Sequence, residues 1–379
     1  MKSLHLITGL ATGGAEMMLF KLLSYIGCGA NEARVVSLMG GGPMRERIQS
    51  IGVAVDSLNM RRGMPSFSAL RQLRKIVWRY RPDLIQGWMY HGNLAASVAG
   101  WFCRNNPPVV WNVRQSLYDL KHERSLTRWV IRANARLSAC ADAIIYNSRT
   151  SARQHEEFGF DASRTFIIPN GFDTEVFRPD ENARAGVKRE LGVADDTILI
   201  GLIGRYHPMK DHRNFLNAAA LLGKDFPDVS FLLAGREVDA GNPALGAMIA
   251  EMELSGRVFL LGERKDIPQL NAALDIASSS SWGEGFANVV GEAMSCGVPC
   301  VVTDVGDSAW IIGDTGRVVV ARDPGALALA WRDLIALGHY GRQALGGRAR
   351  QRVIENFSLG AVAQQYEDLY ESLIARARG

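Results

Sequence analysis

Short apolar runs alternate with longer segments of helical spacing from one end of the chain to the other, the pattern of α/β folds built on parallel sheets. In the first half, strands are predicted at Leu4–Thr8, Arg34–Leu38, Leu84–Gly87, Val109–Val113, Ala143–Asn147 and Phe166–Pro169. Helices are predicted over Ser68–Tyr80 and Leu126–Ala139. The pattern then restarts, with strands at Thr197–Gly204, Val229–Gly235, Val258–Gly262, Ile276–Ser279, Val298–Thr303 and Arg317–Val320. Between the halves, Phe172–Asn182 is polar, contains Pro179 and keeps neither periodicity, so the hinge is placed there. Ala361–Ala377 ends the pattern as an amphipathic helix. The expected organisation is two doubly wound units, 1–175 and 176–360. Facing each other, their sheets would leave a cleft at the carboxyl ends of the strands, where such folds bind ligands.

A chain of 379 residues is long enough for two domains. With 47% apolar and 22% charged residues it has the composition of a globular protein. No window supplies the ~20 uninterrupted apolar residues of a membrane span. The apolar run near Met1 breaks at Gly13-Gly14-Ala15-Glu16 and is read as a first strand and turn, so a cytoplasmic protein is expected. The five cysteines, Cys28, Cys103, Cys140, Cys296 and Cys300, form no CxxC pair. They read as reduced thiols, with Cys296 and Cys300 as small buried residues.

Charge changes the picture more. Residues 1–170 hold 22 Lys and Arg against 11 Asp and Glu, or +11, and the remainder holds 21 against 28, or −7, giving the net +4. Such asymmetry points the first half toward something anionic. Arg61, Arg62, Arg71, Arg74, Lys75, Arg79 and Arg81 gather around one predicted helix. Interleaved base-stacking aromatics and nucleic-acid modules are lacking, so nucleic acid is not an expected partner. An anionic membrane face or a phosphate-bearing acceptor fits better.

Three post-strand loops carry candidate chemistry. In the first, Gly13 and Gly14 precede a helix and would let backbone amides approach a phosphate, or simply make a tight turn. A dinucleotide fingerprint would need G-x-G-x-x-G and an acidic residue closing the second strand, and neither is present. The second loop, Gly204-Arg205-Tyr206-His207-Pro208-Met209-Lys210-Asp211, brings two cations that can converge on a diphosphate as its charge grows. The third is the most specific: Ser281-Trp282-Gly283-Glu284-Gly285-Phe286-Ala287-Asn288, a helix containing Glu292, and Gly297 as its stop. Amides of Phe286, Ala287 and Asn288 would form a phosphate-binding helix N-terminus, with Glu292 roughly 6–9 Å further along. Carboxylates suit either side of a diphosphate because each accepts from two neighbouring sugar hydroxyls.

The chain resembles family 4 of the glycosyltransferases over nearly its whole length. The resemblance rests on Gly13-Gly14-Ala15-Glu16, Ile168-Pro169-Asn170-Gly171-Phe172-Asp173, Gly204-Arg205 with Lys210, Val258-Phe259-Leu260-Leu261-Gly262, and Glu284 through Pro299. It implies the GT-B fold: two facing Rossmann-like domains, the first on the acceptor side and the second binding a nucleotide-sugar donor. The C-terminal helix, 361–379, would pack back on the first domain. By the same resemblance Arg205 and Lys210 contact the diphosphate, Glu284 the transferred sugar, Glu292 the ribose, and Gly13-Gly14 the phosphate end. Gly204, Gly285, Phe286, Ala287 and Asn288 complete the donor set.

Two departures retain every charged group: the usual Lys-Gly is Lys210-Asp211, and the usual Gly after Glu-Gly-Phe is Ala287. A histidine common on a middle first-domain loop is matched by Arg114 in Trp111-Asn112-Val113-Arg114, leaving His91 and Arg114 as acceptor-side candidates. The resemblance implies retaining transfer of a sugar from a nucleoside-diphosphate sugar, a UDP-sugar first, to a glycan or lipid-linked acceptor in exported polysaccharide biosynthesis. Neither metal nor other cofactor is expected, and peripheral contact with the inner face of the plasma membrane is. The alternatives are a GT-B sugar-nucleotide epimerase and a non-catalytic sugar-nucleotide or glycan-binding module.

Overall fold

The structure, a computed structural model, describes residues 1–26, 31–61, 66–117 and 125–378. Cys28 and Arg62 lie outside the described residues. The chain divides into two compact units, Met1–Gly171 with Leu359–Gly379, and Phe172–Ser358.

The first unit contains strands β1 (Lys2–Ile7), β2 (Glu32–Ser37), β3 (Ala54–Ser57), β4 (Leu84–Trp88), β5 (Val109–Val113), β6 (Ala143–Tyr146) and β7 (Thr165–Ile167). They pair in the order β3-β2-β1-β4-β5-β6-β7, every pair parallel. Its helices are α1 (Gly14–Ile26), α2 (Pro43–Ser50), α3 (Phe67–Tyr80), α4 (Met89–Trp101), α5 (Ser125–Leu137) and α6 (Arg149–Glu157). Parallel strands covered on both faces bury side chains in either direction, so β4, β5 and β6 are buried throughout.

The second unit repeats the scheme with β8 (Ile198–Ile203), β9 (Val229–Ala234), β10 (Val258–Leu260), β11 (Ile276–Ser279), β12 (Cys300–Thr303) and β13 (Gly316–Val319). Their order is β10-β9-β8-β11-β12-β13, again parallel. The helices are α7 (Glu181–Leu191), α8 (His212–Gly223), α9 (Pro243–Glu251), α10 (Ile267–Ala273), α11 (Asn288–Ser295), α12 (Ser308–Ile312), α13 (Pro324–Ala336) and α14 (Gly338–Phe357). In both sheets the order reverses beside the first strand, at β1/β4 and at β8/β11, which is where doubly wound sheets open a crevice.

The last helix, α15 (Leu359–Arg378), packs on the first unit. Its Val362, Tyr366, Leu369 and Tyr370 join the core of Leu19, Leu23 and Trp88. Two tyrosines also bond buried polar side chains of the central strands: Asn112 donates to Tyr366 Oη at 2.8 Å, and Tyr370 donates to Gln86.

Three sequence expectations need correction. Strand β3 was not anticipated, because Ala54-Val55-Asp56-Ser57 is a short edge strand with only Val55 buried. The strand expected over Val298–Thr303 begins at Cys300: Gly297 ends α11 at φ +73, and Pro299 has no amide to donate. The unit boundaries lie at Gly171/Phe172 and Ser358/Leu359 instead of 175/176 and 360/361. Phe172 belongs to the second unit because its ring fills the space over Gly291 and stacks on Phe286, with centroids 6.1 Å apart.

A candidate donor site on the second unit

Two loops leave neighbouring strands at the β8/β11 switch point. The first runs from Gly204 to Asp211. Gly204 donates to Ala234 O at 2.8 Å and Tyr206 to Arg236 O at 2.9 Å, which fastens the loop to the end of β9. Gly235, at φ +150, permits this, since a Cβ there would lie 2.2 Å from Gly204 O. A short turn, Pro208–Lys210, follows, and His207 Nδ1 accepts from Met209 N at 3.2 Å. Asp211 then adopts φ +49 and accepts from Asn214 N at 3.2 Å, capping α8. Aspartate tolerates the left-handed region better than most side chains and also caps helices, so it can stand where glycine is usual.

The second loop leaves β11 through four consecutive buried serines, Ser278 to Ser281. Ser280 donates to Lys210 O at 2.8 Å, Trp282 N to Met209 O at 3.0 Å, and Trp282 Nε1 to Pro208 O at 2.8 Å. These bonds join the two loops side by side, so Lys210 and Glu284, 74 positions apart, form an ion pair. Ser281 Oγ donates to the same Glu284 oxygen at 2.9 Å. The Lys210 and Glu284 side chains are 22% and 15% exposed, so the pair is half-withdrawn from water yet reachable. From behind, Asp307 N donates to Gly285 O at 3.0 Å, and Gly306 at φ +58 lies so close that a Cβ would sit 2.2 Å from Glu284 O.

Arg205 is exposed at the start of the first loop. The His207 imidazole is held below its usual range by burial, then by the Arg205 and Lys210 cations, with Glu284 opposing. A cationic loop facing one carboxylate is therefore the local electrostatic pattern. Phe286 is buried and serves as an anchor, packed against Phe172, Trp310 and Phe357. Ala287, at φ −79, is the N-cap of α11 and offers no side-chain acceptor to that helix start. Asn288 is exposed at its first position, and Glu292 is half-buried in its second turn. Among the described residues, no three His, Cys, Asp or Glu side chains converge as a metal site.

On the first unit, Gly13 and Gly14 end the β1 loop and open α1. A Cβ on Gly13 would meet only the movable end of the Glu16 side chain, and one on Gly14 nothing within 4 Å, so neither position demands glycine sterically. Arg114 donates to Tyr366 Oη at 2.9 Å and to Asn112 Oδ1 at 3.4 Å, and it also bonds Asn170. This acceptor-side candidate thus ties β5 to α15 and to the Pro169-Asn170-Gly171 segment. His91 is half-buried on the first turn of α4, its pKa lowered by burial, and it lines a cavity within the first unit.

His207, Ser281 and Trp282 lie within the two quoted loop motifs but have no role assigned from the sequence, and Ser280 is not singled out there. Four polar residues in a row at the end of an apolar strand were the available signal, because buried hydroxyls must find partners.

The chain is similar to known proteins in sequence and in fold. Residues 12–176 match the family described as Glycosyltransferase Family 4, and residues 197–336 match Glycosyl transferases group 1. A D-inositol 3-phosphate glycosyltransferase of Geodermatophilus obscurus is 30% identical over 247 residues, which is 62% of this chain and 52% of that protein. One of Mycobacterium bovis is 30% identical over 246 residues, 63% of this chain and 48% of that protein. The chain therefore spans about half the length of these curated relatives. Among solved structures, Anabaena HepE in complex with UDP superimposes with TM-score 0.83 at 25% identity, covering 98% of this chain and 100% of that one. A Rickettsia africae glycosyltransferase shares the fold with TM-score 0.83 at 18% identity, over 98% of each chain. With a GT-B fold, both family regions and the charged loops in their expected order, the chain belongs to the family 4-like glycosyltransferases.

Proposed function

We propose that this protein is a retaining glycosyltransferase. It moves a sugar from a nucleoside-diphosphate sugar, UDP-linked, to a glycan or lipid-linked acceptor in the assembly of exported polysaccharide. The observation that carries the reading is the Lys210–Glu284 pair on two bonded post-strand loops, with Arg205 on the same loop as the lysine. The UDP bound to the similar Anabaena protein supports the choice of base. An acceptor bearing phosphate or lying at an anionic surface suits the net +11 of residues 1–170.

In the proposed reaction the bond from the sugar's anomeric carbon to the β-phosphate oxygen breaks. The acceptor hydroxyl bonds the same face of that carbon, and its proton passes to the departing phosphate. Arg205 and Lys210 stabilise the diphosphate as its negative charge grows, without reorganisation at that moment. Glu284 accepts from hydroxyls of the transferred sugar, Glu292 from those of the ribose, and the start of α11 contacts phosphate. The positive charge comes from side chains, so divalent metal is not required.

The test is a panel of UDP- and GDP-sugars, scored for slow hydrolysis and for a raised melting midpoint, since a ligand of the native state stabilises it. Selective stabilisation by a UDP-sugar, lost in Arg205→Ala, is expected. An epimerase would instead release free nucleotide and an epimerised sugar with no acceptor. A binding module would be stabilised without hydrolysis.

A further inference from the structure

The first unit contains a cavity of about 650 Å³ that the donor chemistry does not use. Its volume lies within the ~300–1,000 Å³ range of small-molecule sites. The floor is at the carboxyl ends of β2 and β3, where Leu38 and Leu58 are buried, and Leu73 of α3 and Val130 of α5 close the sides. Toward the rim exposure rises, to 41% at Leu70, 50% at Leu126 and 66% at Trp129. The cavity is thus apolar inside, with large apolar side chains at its exposed edge. Soluble surfaces rarely keep large apolar side chains together at an opening without a use for them.

The surroundings identify the occupant. Helices α3 and α5, which form two of its walls, carry no carboxylate. Their charged residues are all cations, with Arg74 and Lys75 on one and Arg128 and Arg132 on the other. Arg61 lies on the lining itself, and His91 and Thr8 are polar groups beside the strand ends. An apolar interior whose lining, among the described residues, holds one cation, Arg61, and no carboxylate, between helices whose charges are all positive, complements an amphiphile with a hydrocarbon chain and an anionic head.

We propose that this cavity takes the hydrocarbon chain of a phosphate-bearing lipid acceptor, with the phosphate beside Arg61. The proposal rests on the lipid-linked reading of the acceptor, and it assigns the first unit a chain-binding site distinct from the donor loops.

Binding of n-alkyl phosphates from four to sixteen carbons to the full chain, below their micelle-forming concentrations, tests it. Affinity should climb about fourfold per methylene, the factor for moving one CH₂ out of water, and level off once the pocket is filled. Ala95→Phe, which places a ring in the cavity from α4, should flatten this dependence while the melting curve shows a folded protein. Leu126→Gln, at an exposed rim position, should weaken every long-chain probe and leave inorganic phosphate unaffected.

Affinity independent of chain length, or equal for inorganic phosphate, would overturn the proposal in favour of a surface anion site. A chain-length dependence untouched by Ala95→Phe would also overturn it, because the chain would then lie on the surface. UDP-sugar stabilisation of the same samples separates the two readings. Chain binding without it sinks the transferase reading and keeps the pocket, whereas stabilisation without chain binding does the reverse.

Discussion

Lys210, from the loop after β8, is ion-paired with Glu284, from the loop after β11, and Ser281 donates to the same carboxylate oxygen at 2.9 Å. The pair is built by main-chain and serine hydrogen bonds that fasten the loops together, so neither side chain chooses its position alone. Preorganised charge of this kind is worth most where charge develops during reaction.

Removing Lys210 should therefore have two effects. Lys210→Ala takes the cation away from a partly buried carboxylate, at a cost of about 1–3 kcal/mol in stability. It should also lower turnover by roughly 10²–10³, the loss when one charge-stabilising donor is deleted. Lys210→Ala/Glu284→Gln should regain most of the stability and none of the rate. Arg205→Ala, at an exposed position, should lose a comparable factor in rate with an unchanged melting curve. An arginine variant as fast as wild type would take Arg205 out of the transition state.

Glu292 makes a separable case. It is half-buried in the second turn of α11, about one turn beyond the loop that carries Glu284. Glu292→Gln exchanges a charge-assisted hydrogen bond for a neutral one and should weaken donor binding 10–100-fold. Calorimetric titration with the UDP-sugar reads this directly, and an unaltered Kd assigns the ribose elsewhere.

Much of this was legible in the chain because parallel strands buried on both faces read as apolar runs. Val109–Val113 and Ile276–Ser279 have the bounds expected of them. The charged residues proposed for the donor stood out on loops after such runs. What stayed hidden depended on pairing between distant segments. The edge strand β3 has one buried apolar residue, and Arg114 finds its partners only when α15 brings Tyr366 beside it. The serines after β11 are unremarkable until their partners, main-chain carbonyls of another loop, come into place.

Helix α3 supports a surface prediction. Phe67, Leu70 and Trp78 are exposed, interleaved with Arg71, Arg74, Lys75 and Arg79, and Arg74 lies 4.2 Å over the Trp78 ring. Amphipathic cationic helices of this kind gain about 1 kcal/mol per cation at an anionic leaflet. The protein should co-sediment with anionic vesicles and less with neutral ones, and Arg71→Glu/Lys75→Glu should erase the difference. Equal sedimentation with both lipids from the start contradicts the assignment.

Turnover should persist in excess chelator, since Arg205 and Lys210 carry the positive charge that a metal supplies in other transferases. Asp195 and Asp196 precede β8 and are poorly placed to hold a cation beside the donor loops. Loss of activity in chelator with recovery on adding magnesium or manganese would replace the charge clamp by a metal.

The last prediction concerns acid. Burial lowers the pKa of His5 to about 3, and those of His155 and His212 to about 4. The first two are fixed as neutral rings. Trp88 Nε1 donates to His5 Nδ1 at 3.2 Å, and His155 Nδ1 donates to Ser151 O at 2.7 Å while Nε2 accepts from Tyr90. His212 is 3% exposed, packs 5.2 Å from the Tyr206 ring, and has no hydrogen-bond partner at either ring nitrogen. Unfolded, each histidine takes up a proton near pH 6.5. Between that pH and about 4 the unfolded chain binds protons that the folded chain refuses, so stability falls as pH falls. Each histidine contributes a slope of about 1.4 kcal/mol per pH unit in that window. The melting midpoint should therefore be flat above pH 7 and drop from 6.5 to 5, before carboxylates begin to protonate. His212→Leu removes one titrating group without orphaning a partner and should cut the slope by about 1.4 kcal/mol per pH unit. A midpoint that holds constant to pH 5, or a slope unchanged in His212→Leu, would mean that these rings protonate without unfolding the protein.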